Sequence, residues 1–176
     1  MLPTLCPPPQ NLPALLIKSQ PEDFIVEELP LYEPAGSGTH SYFWIEKRGI
    51  NTHDAARRLA QLLGKRHQDA GIAGQKDARA ITRQWITFEH LGEETLAKLP
   101  VGQTFLSAGD RPPQTTDDRL RILKVTRHAN KLKMGHLRGN RFVIRLRLSD
   151  KSADPASLLS RCKFVLEELR ARGIPN

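Results

Sequence analysis

The chain has 176 residues, 39% hydrophobic and 26% charged, which suits a folded domain with a core and argues against a disordered or fibrous chain. Lys and Arg number 27 against 19 Asp and Glu, a net charge of +8 of the sign and size expected of a protein that meets phosphate backbones. There is no apolar run of the roughly 18 residues a membrane span needs, and the start lacks the basic region and apolar core of a signal peptide. The cysteines, Cys6 and Cys162, are far apart and the histidines show no paired ligand spacing, so neither a disulfide framework nor a metal is expected and a reducing, cytoplasmic setting is.

In chain order, residues 1–14 carry five prolines and no periodicity and read as a loose lead-in. Residues 15–18 predict a short strand. After Pro21, residues 23–28 predict a half-buried strand with Phe24 and Val26 on one face. Residues 34–38, Pro-Ala-Gly-Ser-Gly, are a turn, and 40–47, with Tyr42, Phe43, Trp44 and Ile45, predict a second strand. Thr52 reads as the N-cap of a helix with Asp54 in its first turn, Ala55, Leu59, Leu62 and Leu63 on one face, and Gly64 as its stop. Arg57, Arg58, Lys65 and Arg66 fall off that stripe, as a solvated face or an RNA-facing one would.

The next stretch, A-G-Q-K-D-A-R-A-I-T-R-Q-W at 73–85, places one carboxylate, Asp77, among Lys76, Arg79 and Arg83, just after Gly74. A carboxylate among cations stays ionised, so it can act as nucleophile or base while the cations hold a polyanion. On its own, Lys76-Asp77 reads first as a polar turn with a local ion pair, and the functional reading needs support from elsewhere in the chain. Residues 84–89 leave the loop as a strand, so Asp77 is anchored by structure on both sides.

Residues 93–99 predict a short helix ended by Pro100, and 107–118 a long connection. Residues 120–127 resume strand character. In 141–148, Phe142, Ile144, Leu146 and Leu148 alternate with Arg141, Val143, Arg145 and Arg147, which predicts one strand with an apolar face on a core and three arginines toward phosphates. Asp154-Pro155 caps a last helix with the stripe Leu158, Cys162, Val165 and Leu169, ended by Gly173. With no internal repeat, the chain reads as one α+β unit with a mixed, largely antiparallel sheet and helices packed on it.

With these pieces placed, three stretches together resemble the TruD family of tRNA pseudouridine synthases: P-E-D-F-I-V-E-E at 21–28, the 73–85 loop, and K-L-K-M-G-H-L-R-G-N-R-F at 131–142. The segments G-S-G-T-H at 36–40 and K-R-G-I-N-T at 47–52 extend the match over nearly all of the chain from about residue 15. The resemblance implies the N-terminal part of a pseudouridine synthase catalytic domain over 15–176, with the remainder absent. Two departures stand out: the chain stops within a family motif at Gly173-Ile174-Pro175-Asn176, and Ala78 stands where a basic residue often follows the motif aspartate.

The implied activity is isomerisation of a uridine in tRNA, typically position 13, with Asp77 as the catalytic carboxylate and no cofactor. Phe24, Lys76, Arg79, Arg83, Lys131, Lys133, Arg138, Asn140 and Phe142 are the implied substrate and RNA contacts, Asn140 by hydrogen bonding and Phe142 by stacking. Core packing serves equally for Phe24 and Phe142, and a turn role for Asn140. The partner is tRNA, with a monomer favoured and no membrane. The competing reading is an RNA-binding remnant that does not catalyse.

Overall fold

A computed structural model of the chain describes residues 15–99, 101, 119–149 and 154–172. Its strands in chain order are β1 (Leu15–Leu16), β2 (Phe24–Pro30), β3 (His40–Arg48), β4 (Gly71–Ile72), β5 (Ile81–Glu89), β6 (Leu120–His128), β7 (Leu137–Ile144) and β8 (Arg147–Leu148). The helices are α1 (Thr52–Leu62), α2 (Glu93–Ala97) and α3 (Pro155–Arg172), with a 3-10 turn at Pro21–Asp23 before β2. The lead-in 1–14, Pro100, the connection 107–118 and the stop at Gly173 lie outside the described residues.

The chain divides into a larger unit, Ile17–Arg145, and a smaller one whose described parts are β1, β8 and α3. The larger unit is a six-stranded sheet in the order β6-β3-β5-β2-β7, with β4 also on β5. Every pairing is antiparallel except that of β2 with β5. The mixed, largely antiparallel α+β architecture expected from the pattern is therefore present. Strand alternation decides where the core sits. Phe43, Ile45, Ile86 and Phe88 fall on one side of β3 and β5 and pack, fully buried, against Ala55, Leu59 and Ala60 of α1. On the other side Tyr42, Trp85, Ala73 and Leu132 form a second cluster, with Trp44 edging onto Trp85 at 5.1 Å.

Asn51, one residue ahead of the expected Thr52, is the N-cap of α1: its side-chain oxygen accepts from the Asp54 N–H at 2.8 Å. Thr52 faces inward, and its hydroxyl is committed to the loop described below. Asn51→Ala should cost about 1 kcal/mol of stability in a urea melt. The expected stop is present: Gly64, at φ +64°, lets Lys65 N–H reach back to the Ala60 carbonyl at 2.9 Å and Gly64 N–H to that of Gln61 at 3.3 Å.

The alternating run 141–148 is not one strand. It pairs with β2 only as far as Ile144, opposite Phe24; Arg145 N–H then bonds the Asp23 carbonyl at 2.8 Å, and Arg147–Leu148 pairs with β1. The cause is the partner: β2 begins at Phe24, because Pro21–Asp23 turns away, so the ladder has nothing further to bond. As the edge strand, β7 leaves Phe142 54%, Val143 51% and Ile144 49% exposed, so its apolar face lacks the cover that the alternation predicts. Arg141 and Arg147 belong to different sheets.

In the smaller unit Asp154 caps α3 through the N–H groups of Ala156 and Ser157. Leu158, Cys162 and Leu169 are half-buried as the stripe predicts, while Val165 is exposed together with Leu159, Phe164 and Leu166. Among the described residues no helix is long and apolar enough to cross a membrane.

Candidate active site

The loop between β4 and β5 sits where two strands part. β2 pairs with β5 only through Ile81 to Arg83, and β4 takes over at Ile86 and Thr87, which leaves the β5 backbone between them without a strand neighbour on that side. Side chains fill the gap. The Glu28 carboxylate accepts from the Trp85 N–H at 3.3 Å and pairs with the Lys76 ammonium at 2.8 Å, both side chains almost wholly buried. Burial pushes the Glu28 carboxyl up, and Lys76 pulls against that rise.

The same loop is held from below by helix and sheet. Thr52 Oγ1 accepts from the Lys76 N–H at 2.8 Å and donates to Gln84 Oε1 at 3.0 Å, while Gln84 Nε2 donates to the Gly74 carbonyl at 3.3 Å. Lys47, on the inward face of β3 and fully buried, donates to the carbonyls of Ile50 at 2.7 Å and Asp77 at 2.8 Å. Asp77 is thus presented on a backbone fixed at several points, the kind of support a reacting group needs.

The Asp77 side chain, about a third exposed, bonds the Lys18 ammonium through Oδ2 and accepts from the Arg79 N–H through Oδ1 at 2.8 Å. Lys18 holds this carboxyl below the usual carboxylate range, with the Arg79 N–H and the charge of Lys47 adding to the pull. Lys18 takes a left-handed backbone conformation, φ +58°, uncommon outside glycine, and its ammonium lies 4.1 Å from the centre of the Phe24 ring. Phe24 in turn packs against Phe142 of β7 at 5.9 Å.

Asp77, Lys18, Phe24 and Phe142 form one contiguous surface, and Asn140, opposite Glu28 in register, is exposed one step along β7 on the same strand face as Phe142, with Arg138 beyond it. The cations expected around Asp77 are arranged differently. Lys76 is buried against Glu28, and Arg83 is clamped between Glu46 at 2.9 Å and Glu27 at 3.7 Å across three strands. Arg79 contributes its backbone N–H. Lys131 and Lys133 line a separate cavity at the His40 end of the sheet, described below.

Sequence reasoning passed over Lys18 and Lys47. Lys18 has no local signal, since 59 residues separate it from Asp77. Lys47 has one: it continues the inward set Phe43, Ile45, and a lysine at a core position must satisfy its ammonium on buried acceptors. Its burial pulls the ammonium down to about 8, opposed by the charge of Asp77. Lys47→Met should cost roughly 2–4 kcal/mol by leaving buried carbonyls unpaired. Between pH 8 and the ordinary lysine value of 10.5 the unfolded chain holds a proton that the folded one has lost, so the contribution of Lys47 to stability rises with pH across that window. Urea melts at both ends should show this rise in the parent and not in the variant.

Comparison with known proteins gives the family. Residues 14–176 match the model of the family tRNA pseudouridine synthase D (TruD), and the chain belongs to that family. It is 42% identical over 168 residues to the tRNA pseudouridine synthase D of Geotalea daltonii, an alignment covering 94% of this chain and 37% of that protein. With the tRNA pseudouridine synthase D of Geobacter sulfurreducens it shares 43% over 161 residues, 92% of this chain and 34% of the other. A crystal structure from Methanosarcina mazei, described as a tRNA pseudouridine synthase D (TruD), superposes with a TM-score of 0.69 at 25% identity, over 89% of this chain and 32% of that one. The chain spans about a third of the length of the relatives it matches.

Proposed function

We propose that this chain carries the catalytic carboxylate and part of the uridine pocket of a tRNA pseudouridine synthase, acting on a uridine of tRNA, typically position 13. The isomerisation breaks the N1–C1′ bond, turns the uracil and joins C5 to C1′; the C5 proton leaves and N1 gains one, so no redox partner or cofactor is needed. Whether the carboxylate attacks the sugar or base or removes a ribose proton, it must be ionised and fixed. The observation that carries the reading is the Asp77–Lys18 pair beside two exposed or half-exposed aromatic rings, Phe24 and Phe142. The pair keeps the carboxylate charged, and the rings offer an unstacked uracil a surface worth roughly 1–3 kcal/mol per base.

A chimera with residues 14–176 in place of the matching segment of the Geobacter sulfurreducens relative tests the reading. Release of tritium from C5-labelled uridine in tRNA is expected; no release from a folded chimera would refute it. The 176 residues alone are expected to bind tRNA weakly without turnover, since β7 leaves apolar side chains in water. Binding should also weaken steeply with salt, because the exposed Arg138, Arg141 and Arg145 can each displace condensed counterions. Filter binding of the Arg141→Ala, Arg145→Ala double variant across a salt series should give a slope lower by about 2. An unchanged slope would show that Arg141 and Arg145 do not meet RNA.

A further inference from the structure

At the opposite end of β3 from Lys47 lies a cavity of about 490 Å³ between the segment after β2 and the β6–β7 connection. His40 and His128, opposite each other in the β3–β6 ladder, line it together with Tyr32, Lys131, Lys133 and His136. Among the described residues no carboxylate lines it; of the lining residues, His40 has Glu89 at 3.8 Å and Lys131 feels the charge of Asp69.

Hydrogen bonding within the walls fixes what they present. The Ala35 N–H donates to His128 Nδ1 at 3.2 Å, so the neutral ring carries its proton on Nε2. Tyr42 donates to the Asn130 carbonyl at 2.9 Å, and the Tyr32 hydroxyl, 3.5 Å from that of Tyr42, shares a hydrogen bond of 2.9 Å with His136 Nδ1. The Tyr32 ring stacks on His128 at 5.0 Å and meets His136 edge-on at 5.7 Å, holding both imidazoles in place. Gly38 makes the near wall possible: a Cβ there would collide with the backbone of His128 and Ala129. The His128 imidazole N–H and two ammoniums around one cavity, beside the His136 ring, make a donor-rich site, which suits an anion with several acceptor oxygens.

We propose that this cavity takes a backbone phosphate of the bound RNA, a second contact remote from Asp77; the proposal rests on the RNA-modifying reading above. His40 and Lys47, which touches Asp77, stand seven positions apart on β3, about 23 Å along the strand and on opposite faces of the sheet, so RNA that meets both passes round a sheet edge. At about 3.4 Å per stacked nucleotide this phosphate belongs at least about seven nucleotides from the target uridine.

The test uses the full chain and two tRNA-derived hairpins centred on the target uridine, with about four and about ten flanking nucleotides on each side, of which only the longer can reach the cavity. Lys131→Gln with Lys133→Gln should weaken the longer hairpin about tenfold, lower its salt slope by about 1 to 2 and leave the shorter one unchanged. Tyr32→Phe, which keeps the ring and removes the bond to His136, should weaken the longer hairpin a fewfold with an unaltered melt. Equal losses on both hairpins, or none on either, overturn the proposal while leaving the RNA reading intact. If the parent binds neither hairpin, both fall. Inorganic phosphate that moves the His128 and His136 ring resonances as RNA does, with no length dependence, assigns the cavity to free phosphate and overturns it as well.

Discussion

Asp77→Asn in the chimera is expected to reduce uridine isomerisation by about 10,000-fold or more while tRNA binding stays within about twofold, the pattern of a group needed for the chemistry and not for ground-state affinity. The substitution keeps the size of the side chain and its bond from the Arg79 N–H, and the loop beneath it remains tied by Lys47, Thr52 and Gln84. The negative charge goes, and with it the Oδ2 acceptor of the Lys18 ammonium. Lys18 holds that charge below the usual carboxylate range, so the acidic limb of kcat/KM should lie below the ordinary aspartate value and move upward in Lys18→Met. The linkage runs in the same direction: the pair contributes stability at pH above the ordinary carboxylate value and loses it as pH falls through the depressed one. Turnover near the parent rate in Asp77→Asn would remove Asp77 from the mechanism. An acidic limb that stays put in Lys18→Met would show that Lys18 does not set the charge.

Breaking the buried Glu28–Lys76 pair should have the largest effect on stability. Lys76→Met strands a buried carboxylate and Glu28→Leu strands a buried ammonium, each at roughly 3–5 kcal/mol. The double variant should recover most of the loss, because two apolar side chains fill the same gap without desolvating charge; the Trp85 N–H, which Glu28 accepts, would still lack a partner and keep recovery incomplete. Urea melts of the four proteins give the coupling directly. Near-additive losses would show that the two side chains act independently. Lys76 is 8% exposed, so Lys76→Met should also leave the salt dependence of tRNA binding untouched, unlike Arg141→Ala with Arg145→Ala. A lower slope in Lys76→Met would return this lysine to the RNA surface.

Part of this molecule was legible before any coordinates. The aromatic run at 40–47, the amphipathic run up to Gly64 and the turn at 34–38 each depend on residues within a turn or a strand of one another, so their propensities, periods and φ requirements are written locally. The motif loop with Asp77 was legible for the same reason, as was the family, whose motifs are themselves local strings. Where local logic met a tertiary choice it missed by a little or a lot. Asn51 and Thr52 are both good caps, and only the inward position of Thr52 against Gln84 and Lys76 shows which one caps the helix. Alternation continues through 141–148 because a period of two carries no record of the partner strand, and the ladder stops where β2 starts.

By itself, then, the sequence determined the kinds of element, the core face of α1, and the loop that presents Asp77, since these follow from spacing and turn chemistry over a few residues. The tertiary structure alone decided which cations serve which carboxylates. Lys18 reaches Asp77 across 59 positions, Lys76 turns inward to Glu28, and Arg83 lies between Glu27 and Glu46 because three strands meet in that register. A charge is neutralised by its neighbour in space, and strand order, which no stretch of sequence states locally, sets who that neighbour is.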